Sequence, residues 1–112
     1  MIAGVKIIGI EKIQKKLKQN VRMDDVKRVV RHNGAEMQAK AQQNAPVDTG
    51  YLKRSIGLEV TDEGMTAEVE PKADYAPYVE LGTRFMEAQP YLAPAFRDQI
   101  GQFRKDMKKL VE

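Results

Sequence analysis

Asp48-Thr49-Gly50 carries the sharpest chemical signature in this chain. Retrovirus-type aspartic proteases hold one such triplet per subunit, in chains of similar length, and complete the site by dimerising. Their mechanism needs each Asp at the tip of a loop between β-strands, with two loops meeting so that the carboxylates share one proton. The flanking residues here deny that setting. Ala45-Pro46 precedes the triplet at the end of a helical stretch, because the residue before proline avoids the α region. No glycine-rich strand segment follows to build the supporting cage. Val47 to Gly50 therefore reads as a helix-exit turn. Asp48 or Thr49 can accept a backbone N–H through its side chain, and Gly50 can supply a positive φ. Thr49 can then N-cap a single helical turn through Leu52. Pro46, Asp48, Thr49, Gly50 and Leu52 are expected to form a structural corner and not a catalytic centre.

Other reactive side chains are sparse. His32 is the only histidine and there is no cysteine, so disulfides, thiolate nucleophiles and Cys/His metal sites are excluded. The plain reading of His32 is solvated surface. Asp62-Glu63 and the Glu68/Glu70 pair could hold a divalent ion. They fall at a hairpin tip and on one strand face, where solvated carboxylates are common. Val79-Glu80-Leu81-Gly82-Thr83 has a lone glycine without the lysine or spacing of a phosphate loop. No catalytic residue, cofactor or metal is expected.

The elements that would position these residues follow from periodicity. Val5 to Ile8 reads as an edge strand that Gly9 breaks, and Ile10, Ile13 and Leu17 then fall at helical spacing. Asp24-Asp25 place two carboxylates where a helix N-terminus favours them. Val26, Val30, Gly34, Met37, Ala41 and Ala45 step by four or three and form one stripe of a helix over about 24–45. Gly34 in that stripe costs about 1 kcal/mol against Ala; with the small Ala41 and Ala45 it predicts close approach by another backbone. After the corner the period becomes 2. Ile56, Leu58 and Val60, then Met65, Ala67 and Val69, alternate with polar residues around an Asp62-Glu63-Gly64 turn. That is a hairpin over 55–70, closed by Pro71, with one apolar and one acidic face. Residues 73–82 can form only a short helix with Gly82 as its C-cap, and 83–89 read as loop. Leu92, Phe96, Ile100, Phe103, Met107 and Leu110 mark a last helix over about 91–111, with Pro94 tolerable in its first turn.

The fold class is therefore α+β: a small antiparallel sheet, made of hairpin 55–70 and the N-terminal edge strand, packed against two long helices. A length of 112 residues makes 1–112 a single domain, able to bury roughly two-thirds of its unfolded surface. With 42% apolar and 31% charged residues the chain reads as globular, not disordered. No apolar run approaches the roughly 18–20 residues of a membrane span. The first residues lack the pattern of a signal peptide.

The net charge of +3 is unevenly spread. Residues 1–34 hold nine basic and three acidic groups, while 59–90 hold two basic and eight acidic. Such segregation favours contact with a complementary surface, including that of an identical neighbour. The basic side comprises Lys12, Lys15, Lys16, Arg22, Lys27, Arg28 and Arg31. It can be two solvated helix faces, a docking surface for an acidic partner, or a set of phosphate contacts on DNA. No reading motif or interleaved aromatic row accompanies it. The acidic side and its loop comprise Glu59, Glu68, Glu70, Tyr75, Tyr78, Glu80, Thr83, Arg84 and Phe85. Tyrosines beside a loop suit an interface as well as a core, and Tyr91 joins that aromatic group. Loop 82–90 is expected to be loose in the free subunit and to order against neighbours.

Three segments together are familiar. "APVDTGYLKRSI", "YAPYVELGT" and "QPYLAPAF" occur in that order, and the chain resembles the small head–tail joining proteins of long-tailed bacteriophages, the family named after the tenth gene product of a lambdoid phage. The family pattern carries over to Pro46, Asp48, Thr49, Gly50, Leu52, Ser55 and Ile56, then to Tyr75, Ala76, Tyr78, Glu80, Gly82 and Thr83, and finally to Pro90, Leu92, Pro94 and Ala95. The resemblance implies a virion structural protein of the neck or tail, without catalysis or cofactor, assembled in the bacterial host cytoplasm. It implies a homo-oligomeric ring, expected to be a hexamer, between the capsid connector or stopper and the tail tube or tail terminator, with at most non-specific contact to genomic DNA and none to a membrane. The alternative from another class is a small basic DNA-binding protein.

Overall fold

One long helix organises the molecule. The computed structural model describes the backbone of residues 5–8 and all of residues 22–46 and 50–110. Helix α1 spans Met23–Asn44 and opens from an extended Arg22, with Asp24 and Asp25 in its first turn. It closes at an extended Ala45, whose N–H reaches the Ala41 carbonyl at 3.0 Å. Val26, Val30, Gly34, Met37, Ala41 and Ala45 are all buried, so the stripe read from spacing is the inner face. Helix α1 is followed by a short helix α2 (Tyr51–Ser55), strand β2 (Ile56–Thr61), strand β3 (Thr66–Pro71), a second short helix α3 (Ala76–Leu81) and the last long helix α4 (Leu92–Lys109). The expected helix around Ile10, Ile13 and Leu17 lies outside the described residues.

Strand β1 (Val5–Ile8) lies beyond β3, giving a three-stranded antiparallel sheet of order β1-β3-β2. In the β2–β3 register Leu58 faces Val69 and Val60 faces Ala67, while Glu59 faces Glu68. The connecting turn needs positive φ at Asp62 (53°), Glu63 (56°) and Gly64 (92°). That backbone suits the right-handed twist of a hairpin but is uncommon for residues with a Cβ. Thr66 Oγ1 donates to Asp62 Oδ2 at 2.6 Å and holds the turn. Pro71 does not stand outside the hairpin as its closing residue. It is the last residue of β3, paired with Ile56, at a strand end where a missing N–H is tolerated.

Gly34 explains how helix and sheet meet. A Cβ built there would stand 2.6 Å from Ala67 Cβ and 3.0 Å from a Leu58 methyl. Only glycine lets α1 approach β3 that closely, the close approach its place in the stripe predicted.

Helix α4 corrects the predicted stripe. Its buried residues are Leu92, Ala95, Gln99, Phe103 and Met107, with Phe96, Ile100 and Leu110 only half-buried. The inward face is centred on Ala95 and Gln99 because α1 presents Asn33 there. Asn33 and Gln99 are both fully buried. Gln99 Nε2 donates to Asn33 Oδ1 at 2.6 Å and to Glu36 Oε1 at 3.3 Å. Asn33 Nδ2 donates to the Val29 carbonyl at 2.9 Å and to Asp106 Oδ2 at 3.0 Å. Gln99 Oε1 is the buried side-chain polar atom without a hydrogen bond among the described residues. Burial pushes the Asp106 carboxyl up, but hydrogen bonds from Asn33 and Gln102 and the charges of Lys109 and His32 pull harder. Its pKa ends below the ordinary aspartate value.

Candidate assembly interface

Helix α3 and the turn after it are held by a carboxylate. Glu80 Oε1 accepts the N–H groups of Tyr91 (3.0 Å) and Leu92 (2.8 Å), and its Oε2 accepts that of Ala93 (3.2 Å). These are donors at the start of α4 that lack a partner within the helix, and a carboxylate there also opposes the positive end of the helix dipole. Glu80 is therefore occupied with fixing α4 to α3, a role that removes it from the free acidic side expected of it. Gln89 N–H adds a bond to the Val79 carbonyl at 2.8 Å. Both ends of segment 82–90 are thus tied to α3, so the segment expected to be a loose loop forms a hydrogen-bonded turn in the single chain.

Between those ties the chain makes a tight turn. Gly82 has φ 76°, and a Cβ there would lie 2.7 Å from the Ala88 nitrogen, so glycine is required. Thr83 N–H donates to the Met86 carbonyl at 2.8 Å, and Phe85 N–H to Thr83 Oγ1 at 3.1 Å. Arg84 and Phe85 stand at the tip, the guanidinium 4.7 Å from the ring centroid. Phe85 is 85% exposed. Tyr51, Tyr75, Tyr78, Leu81 and Met86 are exposed as well, with the Tyr51 and Tyr75 rings 6.2 Å apart. A cavity of about 90 Å³ is lined by Pro46, Gly50, Leu52, Tyr75, Val79, Met86 and Gln89. It brings the described corner residues together with α3 and the turn.

Tyr91 does not belong to this surface. It is fully buried, its hydroxyl donates to the Ala76 carbonyl at 3.4 Å, and it is a core residue. Burial first, then the negative charge of Glu80 and the neighbouring Tyr75, push its phenol up to about 12.

At the corner, Asp48 and Thr49 lie outside the described residues. Gly50 takes φ 78° and is itself the N-cap of α2, and Leu52 is buried beneath it. The capping position expected of Thr49 thus belongs to Gly50, one residue later, because α2 begins at Tyr51. Pro46 is half-buried. The described residues on either side belong to helices, Asn44 ending α1 and Gly50 capping α2, and not to the strands an aspartic dyad requires.

The outer face of the sheet carries Glu59, Glu68 and Glu70. Gly57, Leu58 and Lys72 complete a groove of about 230 Å³ around them. Lys72 Nζ lies 3.8 Å from Glu70, and Lys6 stands opposite Glu68 in the β1–β3 register. Glu59 and Glu68 stand directly opposite each other in the β2–β3 register, and like charges so placed repel.

The basic side is less separate than its sequence block implies. Lys12, Lys15 and Lys16 lie outside the described residues. Arg22, Arg28 and Arg31 are exposed on α1, but Arg28 lies 3.5 Å from Asp25 in the same helix. Lys27 lays its methylenes along the hairpin turn, 3.1 Å from where a Gly64 Cβ would stand. Basic helix and acidic hairpin tip are neighbours within one copy. His32 is exposed and sits 3.0 Å from Glu36.

Sequence spacing did not single out Tyr51, Leu81, Met86 or Gly57. For Tyr51 a signal existed: if Leu52 is the buried residue of a single turn, its neighbour points out. A glycine in a strand, flanked by glutamates, was the available signal for Gly57.

No group of three or more carboxylates, histidines or cysteines among the described residues could hold a metal, and no described helix is long and apolar enough to cross a membrane. What these residues offer to solvent is contact surface: an aromatic face around α3 and a carboxylate face on the sheet. The fold and these faces define a small α+β domain with two chemically unlike surfaces. Residues 10–82 match the family model described as "Bacteriophage HK97-gp10, putative tail-component", and the chain belongs to that family of phage tail components. No curated protein and no solved structure matches the chain significantly. The matched residues include the corner, the hairpin and α3, and end at Gly82, just before the aromatic turn.

Proposed function

We propose that the chain is a neck or tail-completion subunit that joins the capsid connector to the tail of a long-tailed phage or prophage. It acts by binding copies of itself head to tail and needs no catalysis or cofactor. The family match carries this reading. It is supported by two unlike surfaces on one chain, since a heterologous contact closes into a ring when the rotation per subunit divides the circle. The exposed rings of Tyr75, Tyr78 and Phe85 exceed the scattered apolar residues normal for a surface. The neighbouring rings in the particle are the connector or stopper on one side and the tail tube or terminator on the other. Genomic DNA passes through the lumen with at most non-specific contact. Withholding the chain from an assembling particle tests the role. The expected outcome is filled heads and finished tails that stay apart, and normally joined particles would contradict it.

The DNA-binding alternative is less well supported. Lys27 lays its methylenes along the acidic hairpin turn and Arg28 lies 3.5 Å from Asp25, so the described basic residues sit among acidic groups of their own copy. An affinity that falls by several orders of magnitude between low and moderate salt would favour it.

A further inference from the structure

The turn after α3 and the groove on the sheet are complementary, and the core uses neither. The turn holds its tip in a fixed shape: Gly82 sets the backbone, Thr83 and Met86 pair across it, and Glu80 and Gln89 tie its base. A cation stacked on an exposed ring is thereby presented ready-made, so binding loses little conformational freedom. The groove offers the opposite chemistry. At Gly57 the strand backbone is bare, and a Cβ built there would meet nothing nearer than the Glu70 carbonyl oxygen at 3.8 Å. Around it stand Glu59, Glu68 and Glu70, with Lys72 beside Glu70 and Lys6 opposite Glu68 in register.

Resting on the head-to-tail reading, we infer that the Arg84–Phe85 tip of one copy seats in the acidic groove of a second copy. The Phe85 ring covers the bare backbone at Gly57, and the Arg84 guanidinium lies among the carboxylates of Glu59 and Glu70. Charge complementarity assigns the occupant. Among the exposed cations, Arg84 is the one stacked on an exposed ring at the tip of a hydrogen-bonded turn, so it brings charge and apolar area to the groove together. No residue belongs to both surfaces, so each copy can give its tip to one neighbour and its groove to another. A phenylalanine buries roughly 150–250 Å², far below the roughly 1,200–2,000 Å² of a stable interface. The tip is therefore the anchor of a larger contact, to which exposed Tyr78 and Leu81 add area.

The chain has no cysteine, which makes a direct test clean. Phe85→Cys and Gly57→Cys chains are mixed and treated with a short thiol-reactive crosslinker. The 57–85 product should exceed by about tenfold that of Phe85→Cys mixed with Ala35→Cys, a control at an exposed position of α1. Equal yields would overturn the contact. As a second arm, Arg84→Glu should weaken self-association about tenfold or more, and adding Glu59→Arg should restore it. Sedimentation of the unmodified chain separates the two claims. If it assembles while both arms stay at control level, the tip–groove contact falls and the head-to-tail reading stands. If it stays monomeric at every concentration, both fall.

Discussion

The seam between α1 and α4 and the face around α3 are inverted with respect to each other. The seam buries Asn33 and Gln99 at its centre, where methyl groups would pack at least as well. The α3 face leaves Tyr78, Leu81 and Phe85 in water, where polar side chains would serve solubility better. A buried amide and an exposed ring are the informative departures from the usual partition. The first fixes which way two helices dock, since the Asn33–Gln99 bond is made in one register only. The second is, on the proposed head-to-tail reading, a surface shaped for a partner rather than for solvent. On that reading each region yields something for specificity, one inside the copy and one between copies.

Substitutions in the two regions should act on different properties, stability for the seam and association for the α3 face. The largest effect belongs to the interior. Gly34→Val drives two methyls into Ala67 and Leu58 and should destabilise the fold by about 3 kcal/mol or more, measured by denaturant unfolding. Glu80→Ala removes the acceptor of three backbone N–H groups and should lower stability by about 2–3 kcal/mol, with Glu80→Gln recovering part of it. Gln99→Leu alone leaves Asn33 Oδ1 without its donor and should cost about 1–2 kcal/mol. The double change Asn33→Leu with Gln99→Leu should recover most of that and loosen the helix docking, seen as broadened core resonances. A double variant as destabilised as the sum of the singles would mean that the seam holds stability, not register.

Two smaller effects follow. Asp106 has its pKa depressed in the folded state by its hydrogen bonds and neighbouring cations. Its contribution is complete above the ordinary aspartate range and is lost as pH falls through and below it. Asp106→Asn should flatten that part of the acid-unfolding curve. Tyr91 has the opposite sense: its folded-state pKa is raised to about 12, so stability should decline as pH rises from about 10 toward that value. Smallest of all, Phe85→Ser should change stability by no more than about 0.5 kcal/mol, although it removes the most exposed ring. A large loss would show that the turn belongs to the core and would cancel the contrast.

The sequence made the long elements legible. The stripe of α1 was readable to the residue because its small and branched side chains repeat without interruption, and Gly34 announced the backbone it meets. The hairpin was readable from its period of 2. What spacing concealed was polar burial: Gln99 is an amide at a position its helical phase marks as interior, so the apolar count slid to Phe96 and Ile100. Among acidic residues, composition could not separate the carboxylate that caps a helix from those left on a surface. Glu80 and Glu59 look alike in the chain, and only the chain path that returns α4 to α3 distinguishes them. The charge asymmetry was legible, but the described part of its basic half lies beside acidic residues of the same copy, with Arg28 3.5 Å from Asp25 and Lys27 methylenes against the hairpin turn. The 82–90 segment was legible as a loop with candidate contact residues Thr83, Arg84 and Phe85, but its hydrogen-bonded shape, set by Gly82, Thr83 and Met86, was not.

Electron cryomicroscopy of the virion decides whether this chain builds the neck. A closed ring is expected between capsid and tail, in which the sheet of each copy meets the 83–86 turn of the next. Density for this fold within the tail tip, or as isolated copies that never contact one another, would contradict it.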